Sequence, residues 1–247
     1  MDRFIYTAMQ GAREIMLQQA TNNHNLANIN TTGFRADFDA VRSLPVYGPG
    51  LPTRVTVQDA GAGIDFAQGE IITTGNDLDV AIQGDGFIAV QAPDGSEAYT
   101  RAGELRISAS GILETAGGHP VLGNGGPIAI PPYQKLEIGA DGTISIQPMG
   151  QEAATLAVVD RIRLVKPPHE TLKKGEDGLI RTRDGEPAPP DAGVRLITGA
   201  VEGSNVSSVQ ALVTMIELAR QFEMHVNLLR EAKEADTSAT RVLQLNG

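Results

Sequence analysis

The chain has 247 residues, enough for one large domain or two modest ones with a real core. A net charge of −10 with no basic stripe argues against nucleic acid or an anionic membrane surface as a partner. There is no Cys, which removes thiol catalysis, disulfides and thiolate zinc sites, and no apolar run is long enough to span a membrane.

Proline and glycine divide the chain. From Arg3 to Asn28 there is no Pro and one Gly, from Val206 to Leu245 there is neither, and all 14 prolines lie from Pro45 to Pro190. Both residues punctuate regular structure. The ends therefore predict long helices and the middle predicts strands and turns.

The first predicted helix runs from Arg3 to about Asn28. Ile5, Met9, Ala12, Met16, Gln19, Asn23 and Leu26 alternate four and three apart, which is a heptad a/d seam. The seam is apolar at first and polar from Gln19. One reading is an amphipathic helix on its own core. The other is a packed bundle in which Gln19 and Asn23 set register. Met1–Thr7 lacks the apolar stretch of a secretory signal. Asn22, Asn23, Asn25, Asn28 and Asn30 are too many amides for helix propensity alone, so neighbours must satisfy them. Asn30-Thr31-Thr32-Gly33 supplies the stop.

Residues 36–77 read as an extended connector with some β, and residues 78–202 as a β-rich domain of short strands. Leu78–Val90 predicts two strands around Gly84-Asp85-Gly86. That triplet is no phosphate loop, because no Gly-Lys-Ser/Thr and no helix follow it. Turns are predicted at Pro93-Asp94-Gly95, Ser110-Gly111, Gly117-Gly118, Asp141-Gly142, Asp177-Gly178 and Asp184-Gly185. Their irregular spacing speaks for hairpins rather than a calcium-binding repeat.

The last predicted helix starts after Ser204 or Asn205. Val209, Leu212, Ile216, Ala219, Phe222, Val226 and Leu229 recur three or four residues apart, and the series continues through Ala232, Ala235 and Ala239 to Val242. Forty residues of helix would reach about 60 Å. That exceeds what a small β domain can cover. Residues 1–35 and 203–247 are thus expected to form a terminal helical domain.

Segments in three regions of the chain resemble one family. Asn25-Leu26-Ala27-Asn28-Ile29-Asn30-Thr31-Thr32-Gly33-Phe34-Arg35 is similar to the signature of bacterial flagellar rod and hook proteins. Leu78–Phe87, Tyr99–Gly103, Gly117–Gly123 and Ile138–Ile144 resemble its central segments. Ala102 stands where many members carry Asp or Asn, which bears on one turn hydrogen bond. Ser204-Asn205-Val206 and Met215–Met224 resemble its C-terminal signature. The opening Met1–Ala12 is most like the proximal-rod members, with distal-rod or hook-type members as the alternative. The resemblance implies a mainly β centre of short antiparallel strands, flanked by helices paired as an antiparallel coiled coil around a hollow axis. It also implies helical assembly with other rod proteins, torque transmission, residence in the basal body across the periplasm, and export by the flagellar type III apparatus without a cleaved signal.

Little else points to chemistry. His24, His119, His169 and His225 lack metal-ligand spacing with one another, and no nucleophile motif occurs. No cofactor or metal is expected. Glu70 and Asp77 are the one acidic pair worth naming for a rival reading, a cell-wall glycan hydrolase. A trimeric fibre with a parallel stalk is a third reading.

Overall fold

The computed structural model describes residues 2–45, 55–149 and 156–245. It divides into two compact units. One holds residues 1–27, 37–65 and 206–247, and the other holds 28–36 and 66–205.

The helical unit contains α1 (Asp2–Ala27), the hairpin β1 (Asp37–Pro45) and β2 (Val55–Ile64), and α2 (Ser208–Leu245). At 38 residues α2 is about 57 Å long. The helices touch along one side and run in opposite directions there. Asn22 Nδ2 donates to the Ala211 carbonyl (2.9 Å), and Gly11 lies against the His225 ring, where an added Cβ would come within 2.6 Å of it. The buried stripe is Ala8, Ala12 and Ile15 with Ala211 and Leu218.

This corrects the fold class expected from the sequence: a coiled coil through the a/d seam is not formed. Met9 and Met16 are 54% and 58% exposed, and Val209 and Ile216 are 70% and 55% exposed. The reason is that α1 has more than one neighbour. It packs on the β1–β2 hairpin as well as on α2. Its covered face runs through Ala8, Ala12 and Ile15, so among the seam residues with described side chains only Ala12 is buried.

The β unit contains fourteen short strands among the described residues, all paired antiparallel. In chain order these are β3 (Ile71–Thr73), β4 (Val80–Gln83), β5 (Phe87–Gln91), β6 (Glu97–Thr100), β7 (Leu105–Ile107), β8 (Leu113–Thr115) and β9 (Tyr133–Ile138). Then follow β10 (Thr143–Pro148), β11 (Ala157–Arg161), β12 (Leu164–Val165), β13 (Leu172–Lys174), β14 (Ile180–Thr182), β15 (Arg195–Thr198) and β16 (Ala200–Glu202). A five-stranded sheet has the order β12-β5-β6-β14-β13, and a three-stranded sheet β11-β10-β9. The pairs β15–β4, β16–β3 and β7–β8 complete the unit.

Alternation builds the core. Ile144 and Ile146 on β10 face Ile138 and Leu136 on β9, and all four are buried beside Val80, Ile82, Ile88 and Leu113. The turns at Asp141-Gly142 and Asp177-Gly178 place Gly at φ +86° and +78°, the left-handed conformation that glycine adopts without steric cost. In the second turn Arg181 binds both Asp177 oxygens, at 2.8 and 2.5 Å. That hydrogen-bonded guanidinium, above all, holds the Asp177 carboxyl below the usual carboxylate value. A depressed folded pKa contributes stability above the unfolded value, and that stability is lost as pH falls through the folded one. Asp177→Asn should therefore cost about 0.5–1 kcal/mol at pH 7 and less at pH 3, read by urea unfolding at both pH values.

Candidate functional site

The β unit is held at one edge by a buried ion cluster. Glu202, at the end of β16, is fully buried. Arg35 Nη2 donates to its Oε1 (2.5 Å) and Arg101 Nη1 to its Oε2 (2.7 Å). The Gly69 N–H donates to the same Oε1 (2.9 Å), and the Gly33 N–H to the Glu202 backbone carbonyl (2.7 Å). Arg101 spends its other donors on the Gly86 carbonyl (2.9 Å) and the Gly84 carbonyl. Its guanidinium also lies 5.6 Å from the Phe87 ring centre. Low dielectric makes such a cluster strong when complete and costly when broken.

Each contributor sits where local structure puts it. Gly33 takes φ +67° just after the helix stop, so the chain folds back flat on Arg101. A Cβ there would lie 2.1 Å from the Arg101 carbonyl carbon. Phe34 lies under the Lys174 ammonium (4.0 Å), and Lys174 Nζ donates to the Arg35 carbonyl (2.8 Å). Asn205 closes the cluster. Its Oδ1 accepts from the Ala36 N–H (2.8 Å), and its Nδ2 donates to the Ala67 carbonyl (3.1 Å). The Ala102 N–H donates to Thr100 Oγ1 (3.0 Å), a bond from the backbone that does not depend on the side chain at that position.

Within the helical unit Asn25 does a related job. Its side-chain amide pairs with both backbone groups of Asp37, Nδ2 to the carbonyl (2.7 Å) and Oδ1 from the N–H (2.9 Å). His24 Nδ1 lies 3.1 Å from Asp37 Oδ2. Asn28 accepts from Thr31 through its carbonyl (3.1 Å) and its Oδ1 (3.2 Å). Asn22 and Asn25 thus tie segments that are distant or separated by the turn, whereas Asn28 bonds within its own turn.

The seam residues fare differently. Ala12 is buried, and Gln19 and Leu26 are half-buried. Met9, Met16 and Asn23 are exposed. On α2, Phe222, Val226 and Leu229 are half-buried, while Val209, Leu212, Ile216 and Ala219 are exposed. The side chains of Ile5 and Val242 lie outside those described. Of the motif residues, Arg35 is buried and Ala27 exposed, and Asn25, Asn28, Thr32, Gly33 and Phe34 lie between.

Sequence reasoning missed Arg101 and Glu202 as partners of Arg35. A charged residue closing a short apolar strand, as in Ala200-Val201-Glu202, was the available signal. The other named groups have local roles. His169 stacks on Phe66 (4.2 Å between ring centres). Glu70 and Asp77 are both exposed, and the Glu70 carbonyl accepts from the Gly203 N–H.

Residues 81–146 match the family described as "Flagellar hook protein FlgE/F/G D1 domain", and residues 197–242 match "Flagellar basal body rod FlgEFG protein C-terminal". Over the full length of both chains the sequence is 42% identical to "Flagellar basal-body rod protein FlgF" of Escherichia coli. It is 33% identical to the protein of that name in Caulobacter vibrioides, covering 98% of each chain. It is 31% identical to "Flagellar basal-body rod protein FlgG" of Borreliella burgdorferi, covering 91% of this chain and 92% of that one. The clamp joins residues from the N-terminal signature and the two matched regions, and with a full-length match at this identity the chain belongs to the flagellar basal-body rod protein family and is most like FlgF.

Proposed function

We propose that the chain is a structural subunit of the basal-body rod that assembles with other axial proteins and bears torque. The observation that carries this reading is the apolar surface left open on the helices. Val209, Leu212, Val213 and Ile216 on α2, with Met9 and Met16 on α1, are exposed in the single chain. Apolar area returns about 25 cal/mol per Å² when buried, so such faces favour neighbours. A head-to-tail contact that does not close generates an open helical assembly. In this reading the named helix positions are assembly contacts, and the clamp keeps the β unit rigid while the subunit is loaded.

The same reading makes the chain a non-enzymatic component of the basal body, exported by the flagellar type III apparatus. Family membership supports it. The glycan-hydrolase alternative draws no support from any of the relatives.

Ile216→Asp tests the surface. The purified variant should keep the wild-type unfolding midpoint, because the residue is exposed. A deletion strain complemented with it should stay non-motile and lack complete rods by electron microscopy. Normal motility in that strain would remove Ile216 from the contacts. A deletion strain that swims with complete basal bodies would overturn the rod reading as a whole.

A further inference from the structure

Two strand edges of the β unit face each other across a cleft of about 490 Å³. One wall is β9, and the other is Thr198–Gly199 with Thr73 and Asp77. Among the described residues β9 pairs only with β10, so its outer edge is open. The Gly139 N–H donates to the Thr143 carbonyl (2.8 Å), which makes Ile138–Ile144 and Leu136–Ile146 the pairs without mutual hydrogen bonds. The N–H and C=O of Leu136 and Ile138 therefore point away from β10, on the cleft side.

The opposite wall follows the same rule. The Leu196 N–H donates to the Ala140 carbonyl (2.9 Å), away from its partner strand β4. Two residues on, the backbone of Thr198 is turned the same way. The two edges thus meet at the Ala140–Leu196 bond and part beyond it, where the cleft opens. Its charged lining is acidic on balance. Glu137 and Asp77 supply two carboxylates, and the one ammonium, Lys135, is held by Glu137 (2.6 Å).

We propose that this cleft binds a single extended peptide strand carrying a Lys or Arg, supplied by a neighbouring subunit. Leu136 and Ile138 pair with its backbone, as in other cases of strand addition to an open edge. Asp77 selects its basic side chain, since Glu137 is held by Lys135. The assignment of the strand to a neighbouring subunit rests on the rod reading, whereas the capacity of the cleft to bind a strand does not.

The test is a titration of the ¹⁵N-labelled full chain with the blocked peptide Ac-Thr-Val-Lys-Val-Thr-NH2. Saturable amide shifts are expected at residues 135–138 and 198–199. A Glu-centred peptide should bind about fivefold more weakly, and Asp77→Lys should reverse that order. The Lys peptide N-methylated at every residue should not bind, because neither of its edges then has an N–H to pair with the cleft wall. Absence of saturable shifts at those amides with the Lys peptide overturns the inference, and so does equal binding by the N-methylated peptide. Either failure leaves the rod reading standing, since motility and rod completeness test that separately.

Discussion

Glu202→Gln should destabilise the β unit by about 3–5 kcal/mol, the usual cost of leaving a buried charge without its partner. Glutamine has nearly the same shape, so the loss is one of charge and not of volume. Arg35 and Arg101, both buried, would then share an amide with one acceptor oxygen where two carboxylate oxygens stood. The Gly69 N–H would lose its acceptor or compete for it. Urea unfolding followed by far-UV circular dichroism reads the change. Glu114→Gln is the control. Glu114 pairs with Arg106, whose side chain is 59% exposed, and the substitution should cost no more than about 1 kcal/mol. Equal effects of the two substitutions would mean that the clamp contributes nothing beyond a surface pair.

Gly33→Ala should cost about 3 kcal/mol or more, from two separable causes. An L-residue at φ +67° loses about 1–2 kcal/mol in backbone conformation alone. The added methyl also lies 2.1 Å from the Arg101 carbonyl carbon, so the Arg101 backbone must move. That backbone carries the guanidinium bound to Glu202, and the strain passes into the clamp. Gly75→Ala isolates the first cause. Gly75 has φ +75° and open space around an added Cβ, so it should show the conformational cost only. If the two variants unfold at the same urea concentration, the close approach at Gly33 is irrelevant. The two clamp variants should be non-additive, since Gly33 and Glu202 are joined through Arg101.

Much of the secondary structure was legible because local rules decide it. With no Pro in either helix, and Gly11 the one Gly in α1, little stops α1 and α2. Asp-Gly pairs mark hairpins at Asp141-Gly142 and Asp177-Gly178 because only glycine takes that turn cheaply. The clamp was not legible: Arg35 and Arg101 stand in motifs that resemble the family, but Glu202 stands in none and nothing in the sequence links the three. Arg35 and Glu202 lie 167 positions apart, and Arg101 and Glu202 lie 101 apart. No local pattern links them, and a charge on a short strand ordinarily reads as solvated. The packed helix face was misread for a different reason. Heptad spacing states which residues share a face, but not which of several faces a neighbour covers. Here the β1–β2 hairpin shares α1 with α2, and the Met9 and Met16 side remains open.

By itself, then, the chain's order of residues determined two long helical ends, a centre of short strands, and the family. These follow from backbone preferences and from motifs that are contiguous in sequence. Only the tertiary structure decided that Arg35, Arg101 and Glu202 meet, that Asn25 ties Asp37, and which stripe of each helix is buried. Those choices depend on side chains far apart in sequence competing for a few buried positions, and burial energy is settled only when the whole unit closes.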